Sequence, residues 1–151
     1  MDVLTPDLRS KNMRNIKGKD TSIEVLLRKK LWHAGYRYRK NVKTLPGKPD
    51  IVLTKYRICI FCDSEFFHGK DWAVLQDKIS LSDHGSYWKD KIEKNRERDA
   101  KVDKQLLMED WVVLRFWGED IKKYPDECLK VIEETIEIQK NKLQQEFFEE
   151  E

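Results

Sequence analysis

The chain reads as one β-sheet flanked by helices, an α/β or α+β sandwich. Three observations predict this. Short strand-like blocks sit between residues 36 and 61 and again at 111–117, and stretches with helical spacing precede, separate and follow them. The 151 residues are 39% hydrophobic, with five Trp, five Tyr and six Phe, which is enough for one core and leaves no comfortable room for a second domain.

Each element has a local reason. DTSIEVLLRKKLWHAG offers Asp, Thr or Ser as a cap, apolar residues at Ile23, Leu26, Leu27 and Leu31, and a stop at Gly35, predicting a helix over 22–34. YRYRKNV alternates and predicts a strand, which Pro46, Gly47 and Pro49 end. DIVLT and RICIF predict an antiparallel hairpin turning at Lys55 and Tyr56, without the glycine that would identify the turn type. Residues 64–84 mix aromatics, glycine and charge without a clear period and predict a long surface loop. A helix is expected over 86–109, with Tyr87, Trp88, Ile92, Val102, Leu106 and Leu107 inward. WVVLRFW is the last strand, and PDECLKVIEETIEIQKNKL an amphipathic helix opened by Pro125 and Asp126, before a frayed acidic tail. The expected organisation is a basic arm at 1–20, one domain at 21–140 and an acidic tail at 141–151.

Charge is uneven. The net value of +2 conceals +8 in residues 1–45, zero in 46–117 and −6 in 118–151. The arm holds Arg9, Lys11, Arg14, Lys17 and Lys19 against three acids, so a polyanionic partner is one reading and solvated charge the other. No run approaches the roughly 20 apolar residues of a membrane helix, and the first residues lack the apolar stretch of a signal peptide. Three cysteines leave one over from any disulfide framework, which favours a reducing compartment, the cytoplasm. Cys59 and Cys62 have CxxC spacing, but on a strand an odd offset sends them to opposite faces. Cys128 and the scattered histidines do not complete a tetrahedral zinc site.

The chemistry-bearing segment is GKPDIVLTKYRICIFCDSEFFH. With the turn at Lys55 and Tyr56, Asp50 lies opposite Phe61 and emerges on the same face as Asp63, its diagonal neighbour. Two converging carboxylates repel unless a cation neutralises them or one keeps a proton, and oxygen ligands of this kind suit Mg²⁺. The plain alternative is that Asp50 ends a turn and Asp63 begins a loop. His68 is either a solvent-facing imidazole or a proton carrier. Phe66 and Phe67 either pack on the base of their loop or unstack DNA bases. Glu24, in the first helical turn, complements the helix dipole and needs no other role from spacing alone.

Five blocks in order, RSKNMRNIKGKDTSIE, LPGKPDIVL, IFCDSEFFHGKDW, YWKDKIEKNRERD and DWVVLRFWGEDI, resemble the very-short-patch-repair DNA mismatch endonucleases over roughly Arg9 to Ile121. The resemblance implies a restriction-endonuclease-like core with a central mixed sheet. It implies Mg²⁺-dependent nicking of duplex DNA next to a mismatch, thymine opposite guanine in the founding members. By position, Asp50 would be the metal carboxylate, Cys62 would lend its backbone carbonyl, and Glu24 would orient water at the metal. His68 matches an active-site histidine, Phe66 and Phe67 match the aromatics that wedge beside the mismatch, and Met13 would insert from the other groove, next to Lys11 and Arg14 on the DNA.

The departures are specific. Asp63 stands where well-known members carry a histidine thought to activate water, so the base is Asp63, His68 or a second metal-bound water. Glu65, Lys70, Trp72 and Glu119 stand where the family's structural zinc ligands would be, so no zinc is expected, and packing around Trp72 must hold the loop. The expected enzyme is a monomer acting on mismatched double-stranded DNA, with mismatch-repair proteins as partners that recruit it. Its rivals are a relative that cuts at a defined sequence or branched structure, and a DNA-binding module whose active site has decayed.

Overall fold

A computed structural model of the chain describes residues 21–150. The basic arm expected at 1–20, with Lys11, Met13 and Arg14, lies outside the described residues. The first helix, α1, spans Ser22–His33 and buries Glu24, Leu27, Arg28 and Leu31, one stripe at helical spacing. Its inner part is apolar and its N-terminal part charged, so the helix that anchors the core also carries a carboxylate toward the sheet. Thr21 precedes it without a side-chain capping bond.

The sheet has the order β1-β2-β3-β4 and is mixed, with β1 (Arg39–Lys40), β2 (Ile51–Leu53) and β3 (Ile58–Asp63) antiparallel and β4 (Val112–Trp117) parallel to β3. The expected strand at 36–42 shrinks to two residues; after them Asn41 takes a left-handed backbone (φ 48°), while its N–H and that of Val42 still donate to the Asp50 and Pro49 carbonyls at 3.0 and 3.1 Å. The hairpin register pairs Ile51 with Ile60 and Leu53 with Ile58, which centres the turn on Lys55 and Tyr56 as expected. That turn is a 3₁₀ segment, Thr54–Tyr56, and Arg57 supplies the left-handed residue (φ 59°) that a glycine would ordinarily provide. Its guanidinium donates to the carbonyls of Glu109 and Asp110 at 2.7 and 3.2 Å, which fastens the hairpin turn to the turn before β4.

The sheet separates two cores by side-chain alternation. Ile51, Leu53, Ile58 and Ile60 join Leu27, Leu31, Ile121, Cys128, Ile132 and Ile136 on one face. Val52, Cys59 and Phe61 join Val42 and Leu106 on the other. Cys62 packs against the first cluster and Cys59 lies in the second, so the CxxC pair is split across the sheet.

Helix α2, Trp72–Ser80, occupies the segment expected to be an irregular loop. Its signal is short: Trp72, Leu75 and Ile79 form a stripe that reaches a third cluster with Trp88 and Ile92. Helix α3, Gly85–Met108, matches expectation in extent, but Tyr87 and Leu107 are exposed at 56% and 66% rather than inward. A further turn of helix, α4 (Gly118–Lys123), follows β4 unanticipated, and α5 (Pro125–Glu150) continues through the tail expected to fray.

Candidate active site

The site lies where β2 begins and β3 ends. Gly47, in a left-handed conformation (φ 74°), turns the chain so tightly against α3 that a Cβ there would stand 2.5 Å from Val102 Cγ1. This turn delivers Asp50 to the mouth of β2. The register that pairs Ile51 with Ile60 carries Asp50 opposite Phe61, and the Cys62 N–H donates to Asp50 Oδ2 at 2.7 Å. In a strand the N–H and C=O of one residue face the same side, so the Cys62 carbonyl opens beside Asp50, beyond the end of β2.

Asp50, Cys62, Asp63, Glu24, His68 and Asp99 line one cleft of about 730 Å³, within the roughly 300–1,000 Å³ of ligand sites. Within it the acids form two groups. Burial, together with the charge of neighbouring Glu24 and a hydrogen bond to it, pushes the Asp50 carboxyl up to about 7, against the pull of the Cys62 N–H. Glu24 is only 4% exposed and has Arg28 one turn further on, Nη1 to Oε2 4.0 Å. The buried carboxyl of Glu24 and the half-buried one of Asp50, next to an outward carbonyl, form a hard oxygen donor set that fits a divalent cation. Burial raises the Cys62 thiol, and its side chain packs against the first cluster.

The second group centres on His68. Its Nδ1 lies 2.6 Å from Asp99 Oδ2, and its Nε2 lies 3.8 Å from Asp63 Oδ1. Burial disfavours the imidazolium, but the Asp99 hydrogen bond and the charges of Asp63 and Asp99 outweigh it and raise the His68 pKa. Asp63 is 5% exposed; burial raises its pKa, while His68 and Arg115 pull it down. Among the described residues, Asp63, His68 and Asp99 are the group whose ligand atoms cluster within 4.8 Å. Arg115 already occupies it, 3.1 Å from Asp63 Oδ2.

The structure therefore brings Glu24, Asp50, Cys62, Asp63 and His68 together. Asp50 and Asp63 share the cleft, as their register requires, but each has different partners. Phe66 and Phe67 are half-buried and pack edge-to-face on Trp88, with centroids 5.3 and 6.2 Å away, so the packing alternative describes one side of both rings. Phe67 also lines the cleft. The positions matching zinc ligands are otherwise engaged. Glu65 Oε1 accepts the Glu119 N–H at 2.7 Å, Lys70 lies 5.8 Å over the Trp117 ring, and Trp72 joins the third cluster.

Asp99, Asp103 and Arg115 were missed by sequence reasoning. Asp99 had a signal, because Trp88, Ile92, Asn95 and Asp99 follow one α3 stripe whose apolar character breaks at Asn95, and Asn95 Nδ2 donates to the Phe67 carbonyl at 3.0 Å. Arg115 had one too, as a lone cation inside an otherwise apolar strand, but the strand itself does not name its partners.

A family model described as DNA mismatch endonuclease Vsr matches residues 1–74. The chain is 44% identical over 141 residues to the type II nicking enzyme V.HpaIIP of Haemophilus parainfluenzae, covering 93% of this chain and 94% of that one. It is 42% identical over 136 residues to V.NmeDIP of Neisseria meningitidis serogroup C, covering 90% of each. It is 36% identical over 116 residues to the DNA mismatch endonuclease Vsr of Escherichia coli K12, covering 77% of this chain and 72% of that one. With its mixed sheet and flanking helices, the chain belongs to the Vsr family of DNA endonucleases.

Proposed function

We propose that the protein is a Mg²⁺-dependent endonuclease that nicks one strand of duplex DNA beside a base mismatch, T opposite G, in very short patch repair. The observation that carries this reading is the shared cleft, which joins the paired carboxyls of Asp50 and Glu24 to the hydrogen-bonded His68 and Asp99. Asp50 and the Cys62 carbonyl would hold the cation, with Glu24 beside them to orient water there. A divalent ion there supplies charge to the phosphodiester and its leaving oxygen. Asp50 must release its proton for that, which its value of about 7 allows near neutrality.

His68 is the proton acceptor in this reading. With Nδ1–H donated to Asp99, the neutral ring keeps its lone pair on Nε2, and Asp99 then stabilises the imidazolium formed when water gives up its proton. Lys48, Arg98 and Lys122 also line the cleft and form no ion pair among the described residues, which suits them to DNA phosphates. Phe67 is the residue proposed to wedge beside the mismatch, helped from the arm by Lys11, Met13 and Arg14. The protein acts as a monomer in the cytoplasm.

The decisive experiment is nicking of a labelled duplex with one T opposite G, beside its matched control and a branched substrate, with Mg²⁺ or EDTA and with Asp50→Ala as blank. A Mg²⁺-dependent nick confined to the mismatched duplex, abolished in Asp50→Ala while duplex binding persists, is the expected result. Wild-type cutting by Asp50→Ala would remove Asp50 from the site. Similarity to type II nicking enzymes favours a second reading, nicking at a defined sequence, which cutting of the matched duplex would support. Salt-sensitive binding with no cut on any substrate would support the decayed module.

A further inference from the structure

One guanidinium holds three carboxylates beside His68. Arg115 lies on β4 in register with Phe61 and stacks over that ring, its central carbon 4.1 Å from the centroid. Its Nη1 reaches both oxygens of Asp63 at 3.2 and 3.1 Å and lies 3.7 Å from Asp99 Oδ1. Its Nε reaches Asp103 Oδ1 and Oδ2 at 2.9 and 3.1 Å, and Nη2 reaches Oδ1 at 2.7 Å. Asp99 and Asp103 are one turn apart on α3, and Asp63 ends β3, so this side chain ties two strands and a helix together beside the dyad. Planar and charged at every working pH, it fixes direction as well as charge.

This geometry gives Asp63 a purpose other than proton transfer. Both of its oxygens are committed to Arg115, and the 3.8 Å to His68 Nε2 is too long for a hydrogen bond. Without the guanidinium, Asp63 would be a buried carboxylate with His68 as its neighbouring cation, and it would compete with Asp99 for the imidazole. We propose that Arg115 is a positioning residue for the His68–Asp99 dyad and that Asp63 is its anchoring counter-ion rather than the proton acceptor. The inference rests on the nuclease reading above for its kinetic consequences, but not for its structural ones.

The test compares Arg115→Met, Arg115→Lys, Asp63→Asn and the double variant Asp63→Asn/Arg115→Met in the full chain. Three readouts are used: single-turnover nicking, duplex affinity in Ca²⁺, and ¹⁵N spectra of the His68 ring. Arg115→Met is expected to slow nicking by about 100-fold, the cost of a displaced catalytic group, with duplex affinity held within about twofold. Arg115→Lys restores part of the rate, and its thermal melt controls for folding. The double variant should nick about tenfold faster than Arg115→Met, because the uncompensated carboxylate is gone. In the ring spectra the wild type shows Nδ1–H with a bare Nε2, and Arg115→Met loses that single form.

Asp63→Asn as inactive as Asp50→Ala, with no recovery in the double variant, would make Asp63 the proton acceptor and overturn the proposal. So would Arg115→Met with an unchanged rate and ring spectrum. If the wild type nicks nothing, the nuclease reading fails, and the spectra alone decide the proposal: an unchanged His68 form in Arg115→Met overturns it, and its loss upholds it.

Discussion

Asp50 is held against its own chemistry. Burial and Glu24 keep its proton on to about 7, against an ordinary value of 3.8, so in the metal-free protein it favours folding most at low pH and loses that contribution as pH rises through 7. The metal-free wild type should therefore melt at a lower temperature at pH 8 than at pH 6, Asp50→Asn should flatten that difference, and Mg²⁺ should restore the wild type at pH 8 by binding the native state. Equal pH slopes in the two proteins would deny Asp50 its raised value. His68 offers a separate test, since Asp99 raises its pKa and the base must be neutral to work. Asp99→Asn should shift the acid limb of the kcat/KM profile to lower pH and slow nicking by about 10²- to 10⁴-fold; an unmoved limb would assign that limb to another group. At this scale the sequence was readable where register alone decides, as for Asp50 opposite Phe61. It did not name the partners of Asp99 and Arg115, which lie 31 and 52 positions away and are joined to them only by the packing of α3 and β4.

Among the elements, the segment after β3 departs most from expectation. Its helix α2 is nine residues long and only three of them reach the core, so its period is too short to stand out from the charges around it. The hairpin and α3 were legible because their patterns run long enough to exclude alternatives. The two-residue β1 and the helical turn α4 were not, since each depends on what lies beside it rather than on its own composition. The ring cluster under this segment leaves Phe66 and Phe67 in different situations, because Phe67 alone also lines the cleft. Phe67→Ala should weaken binding to a T opposite G duplex by about 1–3 kcal/mol more than to a matched one, the worth of one stacked base. Equal weakening on both duplexes would return Phe67 to a purely packing role.

Across the whole molecule, the cleft collects side chains from α1, β3, α3, β4 and α4 and from the turns before β2 and after β3, with the cations of Lys48, Arg98 and Lys122 beside the acids. Replacing all three by Ala should reduce the slope of log affinity against log salt by about 0.9 for each phosphate that these side chains no longer neutralise. An unchanged slope would place the DNA backbone elsewhere. The overall class, one sheet between helices, was legible from periodicity, whereas the order of strands was not, because the parallel pairing of β3 with β4 joins segments about 50 residues apart. That pairing also governs when the enzyme comes into being during synthesis. Loop closure over such a separation is slow, and the guanidinium beside His68 arrives only with β4. A growing chain that has already emitted Glu24, Asp50 and His68 from the ribosome still lacks the strand that aligns them. In the reading proposed above, nicking competence therefore arrives late in translation, with the strand that carries Arg115.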